Sequence, residues 1–240
     1  MKLLKLLIHS SRIGLRAVSL GLVAAVVLLL TSGCEMVPKN SLATHNSSIW
    51  EKDIARFEAS DKTNPPPKNP IVFVGSSSIV KWKTLAMDFP GLPVMNRGFG
   101  GSQLADSVNY ADRIVIPYQP REVVVYAGCN DLDAGKSPEI VYGDFVALMK
   151  KLRAELPHAR LAYISVAPNF ARWKELAQVK EMNALAENYC RHHGIAFINV
   201  FPLMLGSDGH PLPDIYVADR LHMNAKGYVI WRQAVAPYLN

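Results

Sequence analysis

Four short segments carry the residue types that acyl-transfer chemistry needs. They are Gly75-Ser76-Ser77-Ser78-Ile79, Asn96-Arg97-Gly98-Phe99-Gly100-Gly101, Gly128-Cys129-Asn130-Asp131 and Asp219-Arg220-Leu221-His222. In that order they supply a nucleophile, two oxyanion donors and a base with its orienter. Each residue type is common, so no segment is informative alone. What singles out the set is placement: each falls at the end of an expected strand or in a loop near the C-terminus.

The serines at 76–78 leave an apolar strand and enter a helix, which exposes a hydroxyl at the edge of a sheet. Helix capping or a phosphate cradle accounts for serines there equally well. Gly98, Gly100 and Gly101 make a loop whose bare N–H groups can approach an oxyanion, or simply a tight turn. The Asn130 amide can donate to charge developing on a carbonyl oxygen, although Asn-Asp after a strand is also a frequent turn former.

The strongest of the four signals is the last. His222 stands three residues after Asp219, so on a turn the carboxylate reaches Nδ1 and leaves Nε2 free to take a proton from a hydroxyl. Asp208 and Asp214, in the same loop, are alternative carboxylates. Of the other histidines, His192 and His193 sit near a helix end, where helix carbonyls are the expected partners. Arg97, Arg172, Trp173 and Tyr216 are expected near the same cleft.

The elements that must position these groups alternate regularly. Ile71-Val72-Phe73-Val74 is a continuous apolar run between Pro70 and Gly75, as a strand buried on both faces requires. Further strands are expected at Val94–Asn96, Val123–Tyr126, Leu161–Ser165 and Ala196–Asn199. Helices are expected at Ile79–Ala86, Gln103–Val115, Pro138–Leu156, Trp173–His193 and Ala225–Ala236, with a shorter one around Trp50–Ala59. Strict alternation predicts right-handed crossovers and a five-stranded parallel sheet covered on both faces, a three-layer α/β/α sandwich. Ligands of such sheets bind beyond the carboxyl ends of the strands.

The formal charge of +6 overstates the basicity of this domain. Lys2, Lys5, Arg12 and Arg16 precede an apolar run from Ala17 to Leu30, and from Cys34 onward 22 basic residues face 20 acidic ones. The excess belongs to an export signal over residues 1–33, and no nucleic-acid footprint remains. An uncleaved signal anchor is the alternative to cleavage.

Leu30-Thr31-Ser32-Gly33-Cys34 resembles a bacterial lipoprotein processing site, although Thr31 stands where an aliphatic residue is usual. Lipidation of Cys34 would place the protein in the cell envelope, facing the periplasm or the exterior, anchored to a membrane. Ordinary secretory cleavage with Cys34 as a bystander is the alternative. Residues 34–70 then read as a lipidated Cys, a tether ending in Asn64-Pro65-Pro66-Pro67, and an edge helix. The domain proper is 71–240. Cys129 follows a strand and Cys190 ends a long helix, so no disulfide is expected between them.

Together the four blocks resemble the SGNH or GDSL-type hydrolases over about Ile71 to Tyr238, in the lysophospholipase and platelet-activating-factor acetylhydrolase branch. Trp82, five residues after Ser77, and Leu221-His222-Met223-Asn224 with Gly227 add to the similarity. The resemblance implies the flavodoxin-like form of the sandwich, with Ser77 as nucleophile and His222 and Asp219 completing the triad. It implies an oxyanion hole of Ser77, Gly101 and Asn130. It departs from the family pattern at Ser76, where Asp is usual, and at Ser78, where Leu or Ile is usual. Ser77 is therefore assigned by register from Gly75 and Trp82, with Ser78 as rival, and Cys129 is expected only to pack.

The reaction implied is hydrolysis of a carboxylic ester of a lipid or glycan through an acyl-enzyme, with no metal and no cofactor. No His-Glu-x-x-His, Cys-x-x-Cys or Gly-Lys-Ser/Thr motif suggests one. Two other classes fit parts of the chain. A catalytically silent, lipid-anchored module could bind a glycan or lipid head group, and a flavin or nucleotide site could use 75–78 for phosphate, leaving Asn130, Asp219 and His222 without a role.

Overall fold

The computed structural model describes residues 38–239. The export-signal and lipidation expectations, at 1–33 and Cys34, lie outside the described residues. Five strands, β1 (Ile71–Gly75), β2 (Val94–Gly98), β3 (Glu122–Tyr126), β4 (Arg160–Ile164) and β5 (Ala196–Ile198), form one parallel sheet in the order β2-β1-β3-β4-β5. The expected sheet is thus present, with strand ends displaced by a residue or two.

Alternation along the strands divides the interior. Val72, Val74, Val123, Val125, Leu161 and Tyr163 face one core. Ile71, Phe73, Val124, Tyr126, Ala162 and Ile164 face the other. Each Val, Leu, Ile or Phe among these contributes about 1.5–3 kcal/mol by burial, so the sheet is stable only when both faces are covered. The first face is covered by α1 (Glu51–Thr63), α4 (Leu104–Ile114), α6 (Pro138–Glu155) and α7 (Leu176–His192). The second is covered by α2 (Ser77–Val80), α3 (Leu85–Asp88) and α8 (Ala225–Val235), while α5 (Cys129–Asp133) follows β3.

Local structure departs from expectation at three places. The helix expected over Ile79–Ala86 is split into α2 and α3. Trp82 turns into the second core, and its Nε1 and Thr84 Oγ1 each donate to Asp88 Oδ2 at 2.6 Å, tying a turn where a helix would have continued. The α5 turn had no apolar period to announce it. Trp173–Glu175 is a 3₁₀ turn that leads into α7 and does not belong to it.

The segment read as a tether is packed against the domain from residue 38 onward. Ser41 donates from N and Oγ to the two carboxylate oxygens of buried Asp144, both at 2.7 Å. His45 Nε2 lies 2.7 Å from Asp106 Oδ1, and the Tyr110 hydroxyl donates to the Ser47 carbonyl at 2.8 Å. Gly143 admits the strap: a Cβ there would lie 1.8 Å from the Lys39 carbonyl oxygen. Composition alone suggested a spacer because its anchors are polar and lie 61 to 103 residues away in sequence.

Candidate active site

The carboxyl ends of β1, β2 and β3 lie side by side, with Gly75 paired to Gly98 on one side and Tyr126 on the other. Gly75 has φ +141°, and a Cβ there would stand 1.8 Å from the Tyr126 carbonyl oxygen, so only glycine lets the chain turn so close to β3. Ser76 occupies the cap of α2 and Ser77 its first position, half-buried. The carbonyl of the next residue, Ser78, accepts the Tyr228 hydroxyl at 2.8 Å.

The imidazole that faces Ser77 comes from a turn closed by the Tyr216 and Met223 bridge. Asp219 Oδ1 accepts the N–H groups of Leu221 and His222, each at 2.9 Å, and Asp219 Oδ2 lies 2.6 Å from His222 Nδ1. His222 Nε2 is 2.8 Å from Ser77 Oγ across 145 residues of sequence. A carboxylate at Nδ1 fixes the proton there, so Nε2 is the acceptor for the serine hydroxyl. Burial works against ionisation of Asp219, but the bonds from the His222 ring and from the two N–H groups outweigh it and hold the carboxyl at about 2.

Arg220, inside this turn, adopts φ +56°, a conformation that costs a non-glycine residue roughly 1–2 kcal/mol. Two contacts offset the strain. Its guanidinium lies 4.2 Å from the centre of the Phe170 ring, and its carbonyl accepts the N–H groups of Phe170 and Ala171 at 3.1 and 3.3 Å. Asp208 and Asp214 are occupied elsewhere, the first by the His210 N–H and the second by Lys226.

The other side, with Gly101 and Asn130, is assembled from more distant pieces. Gly101 has φ +83° and lies beneath Trp50, whose ring would stand 3.1 Å from a Cβ at that position. Trp50 also meets Phe99 edge to face at 5.9 Å, so the strap reaches the glycine loop. Asn130 Nδ2 donates to the Ser102 carbonyl at 2.9 Å, which leaves its second amide hydrogen for another acceptor. Buried Asp131 accepts the Leu104 N–H at 3.1 Å, tying α5 to the start of α4.

Cys129, next to Asn130, is not a competing nucleophile: burial pushes its thiol up, only partly opposed by Arg172. Cys129 and Cys190 are separate, buried free thiols. A cavity of about 20 Å³ beside the site touches Ser76, Ser78, Tyr126 and Tyr216, and has room for a single water. Among the described residues no three His, Cys, Asp or Glu side chains converge as metal ligands.

Of the residues expected at the site, Ser77, His222 and Asp219 are in contact with one another, and Gly101 and Asn130 lie just beyond the ends of β2 and β3. The sequence misplaced Arg97, which points into the opposite core and pairs with Asp61 and the Tyr118 hydroxyl. Its position opposite Val74 in the register carries that reason: both side chains face the first core. Tyr216 donates to the Pro168 carbonyl at 2.6 Å, and Trp173 packs on His210 at 5.2 Å. His192 and His193 lie on the Asn188 and Tyr189 carbonyls, as the sequence suggested. Trp50 was missed as a site neighbour; its only signal was one large aromatic in a polar stretch.

Comparison with known families settles the kinship. The family described as GDSL-like Lipase/Acylhydrolase matches residues 75–230, which include all four blocks. This chain belongs to that family. Acyl-ester hydrolysis is accordingly its class of activity. No curated protein matches the chain.

Solved structures agree on the fold of this GDSL-family chain. A GDSL-like lipase from Bacteroides thetaiotaomicron superposes with a TM-score of 0.68 at 21% identity, covering 78% of this chain and 96% of its own. A lipase/acylhydrolase from Enterococcus faecalis gives 0.56 at 19% identity, covering 71% and 97%. A variant of an acetyl-xylooligosaccharide esterase from Geobacillus gives 0.58 at 12% identity, covering 72% and 94%.

Proposed function

We propose that this GDSL-family protein is a serine esterase that cleaves an acyl or acetyl ester of a lipid or glycan through an acyl-enzyme. The observation that carries the reading is the continuous chain of contacts from Asp219 through His222 to Ser77, 2.6 Å and then 2.8 Å. As Ser77 Oγ bonds to the ester carbonyl carbon, its proton passes to His222 Nε2. The oxyanion takes hydrogen bonds from the N–H groups of Ser77 and Gly101 and from Asn130 Nδ2. Collapse expels the alcohol, which takes the proton from His222. Water then repeats the sequence on the acyl-enzyme, releasing the acid and restoring Ser77.

Each oxyanion donor contributes about 10²- to 10³-fold in turnover, and it does so only if it is in place before charge develops. Structural neighbours described as a GDSL-like lipase and an acetyl-xylooligosaccharide esterase are in keeping with an ester substrate here. We further propose that the protein is exported and lipidated at Cys34, which would hold the site near a membrane surface. Incorporation of radiolabelled palmitate, lost in Cys34→Ala, tests the anchor.

For the catalytic reading, hydrolysis of p-nitrophenyl acetate is compared for the wild type, S77A and S78A. Loss of activity in S77A with retention of most of it in S78A is expected. Activity surviving in folded S77A would overturn the assignment, and a folded wild type inert to all short-chain esters would favour a binding module.

A further inference from the structure

We infer that Arg172 is the positioning residue for the oxyanion donor Asn130, an inference that rests on the serine-esterase reading. The two ends of an asparagine amide are nearly identical in shape, and only one of them donates. Asn130 serves an oxyanion hole only while its NH₂ faces the Ser77 side and its carbonyl oxygen faces away. Something must break that symmetry.

Arg172 does so. Its Nη1 donates to Asn130 Oδ1 at 2.9 Å and also reaches Cys129 Sγ at 2.9 Å. A guanidinium has donors and no acceptor, so it rewards the functional orientation and confronts the flipped amide with donor against donor. A cation at Oδ1 also polarises the amide, which makes the Nδ2 hydrogens better donors.

The guanidinium is itself fixed. Arg172 Nη2 lies 2.9 Å from Asp133 Oδ2, and the Arg172 N–H donates to Asn169 Oδ1 at 2.8 Å. Its side chain is 15% exposed, sufficiently enclosed for the contact to persist, whereas Asp133 at 41% remains solvated if the arginine is removed. The same loop donates from Phe170 and Ala171 to the Arg220 carbonyl, in the turn that carries Asp219 and His222. Residues 169–172 therefore brace the base against the donor side of the site.

The experiment is a double-mutant cycle on p-nitrophenyl acetate, with kcat and KM measured for the wild type, R172M, N130A and N130A/R172M, and the fold checked by thermal melting. R172M is expected to lower kcat about ten- to a hundred-fold, part of the loss from deleting the donor itself, with KM within twofold. In the N130A background the same change should cost less than about threefold, because the group it positions is gone. R172K, which keeps a charged donor, should recover much of the kcat. Equal losses in both backgrounds, or a loss carried by KM, would overturn the inference and assign Arg172 to substrate contact. If R172M does not fold, R172Q, uncharged and able to present either end, goes through the same cycle with the same expectation. Should S77A prove active, the esterase reading itself fails, and that outcome is distinct from an additive cycle.

Discussion

The two halves of the site are built in opposite ways. The base half is local: Asp219 and His222 are three residues apart, and the carboxylate that orients the imidazole also accepts two N–H groups of the same turn. The donor half draws Gly101 from the loop after β2 and Asn130 from the turn after β3, then rests them on Trp50 and Arg172 from elsewhere in the chain. A local half tolerates remote change but fails outright when one of its members is lost. A composite half degrades in steps, because each support contributes part of the alignment.

The comparison breaks first at the base half. S77A and H222A should each lower kcat/KM for an aryl ester by about 10⁴-fold or more, with melting temperature little changed. D219N should follow at roughly 10³- to 10⁴-fold, since the amide removes the acceptor at Nδ1 and lets the ring take the wrong tautomer. A loss of under tenfold in D219N would mean that the turn holds the ring without its carboxylate.

On the donor half, N130A should cost about 10²- to 10³-fold, nearly all in kcat. W50A should cost roughly tenfold in kcat together with about 2 kcal/mol of unfolding free energy, because the half-buried ring covers both Gly101 and Phe99. If W50A lowers stability and leaves kcat intact, the strap holds the fold and does not align the glycine loop.

The smallest effect sharpens the base half. With its folded pKa lowered to about 2, Asp219 stays ionised wherever an imidazole titrates. The acid limb of log kcat/KM against pH should therefore have a slope of one. A slope of two above pH 4 would require a second essential group to protonate. By the same sign, whatever stability the Asp219 bonds add is present above the ordinary carboxylate range and is lost only as pH falls towards 2.

The contrast also explains what could be read before any coordinates. Apolar runs such as Ile71–Val74, and the short Asp219 to His222 spacing, are local patterns, and local patterns fix strands and turns. The glycines and Asn130 were legible because they sit where strands end. Arg172 was placed at the cleft without its role, since its partner Asn130 lies 42 residues away. Trp50 and the strap escaped for the same reason: anchors such as Ser41 with Asp144 are long-range polar contacts that leave no periodic trace. Arg97 went astray because its place beside the glycine loop suggested the cleft, whereas the alternation of β2 turns it into the first core against Asp61 and Tyr118.

The central claim is that the imidazole at 222 activates the hydroxyl at 77. Its most direct test is to label the folded protein with a fluorophosphonate and locate the adduct by mass spectrometry of its peptides. One phosphonyl group on Ser77, lost in H222A, is the predicted result. An adduct on Ser78, or none on folded wild type, would contradict it.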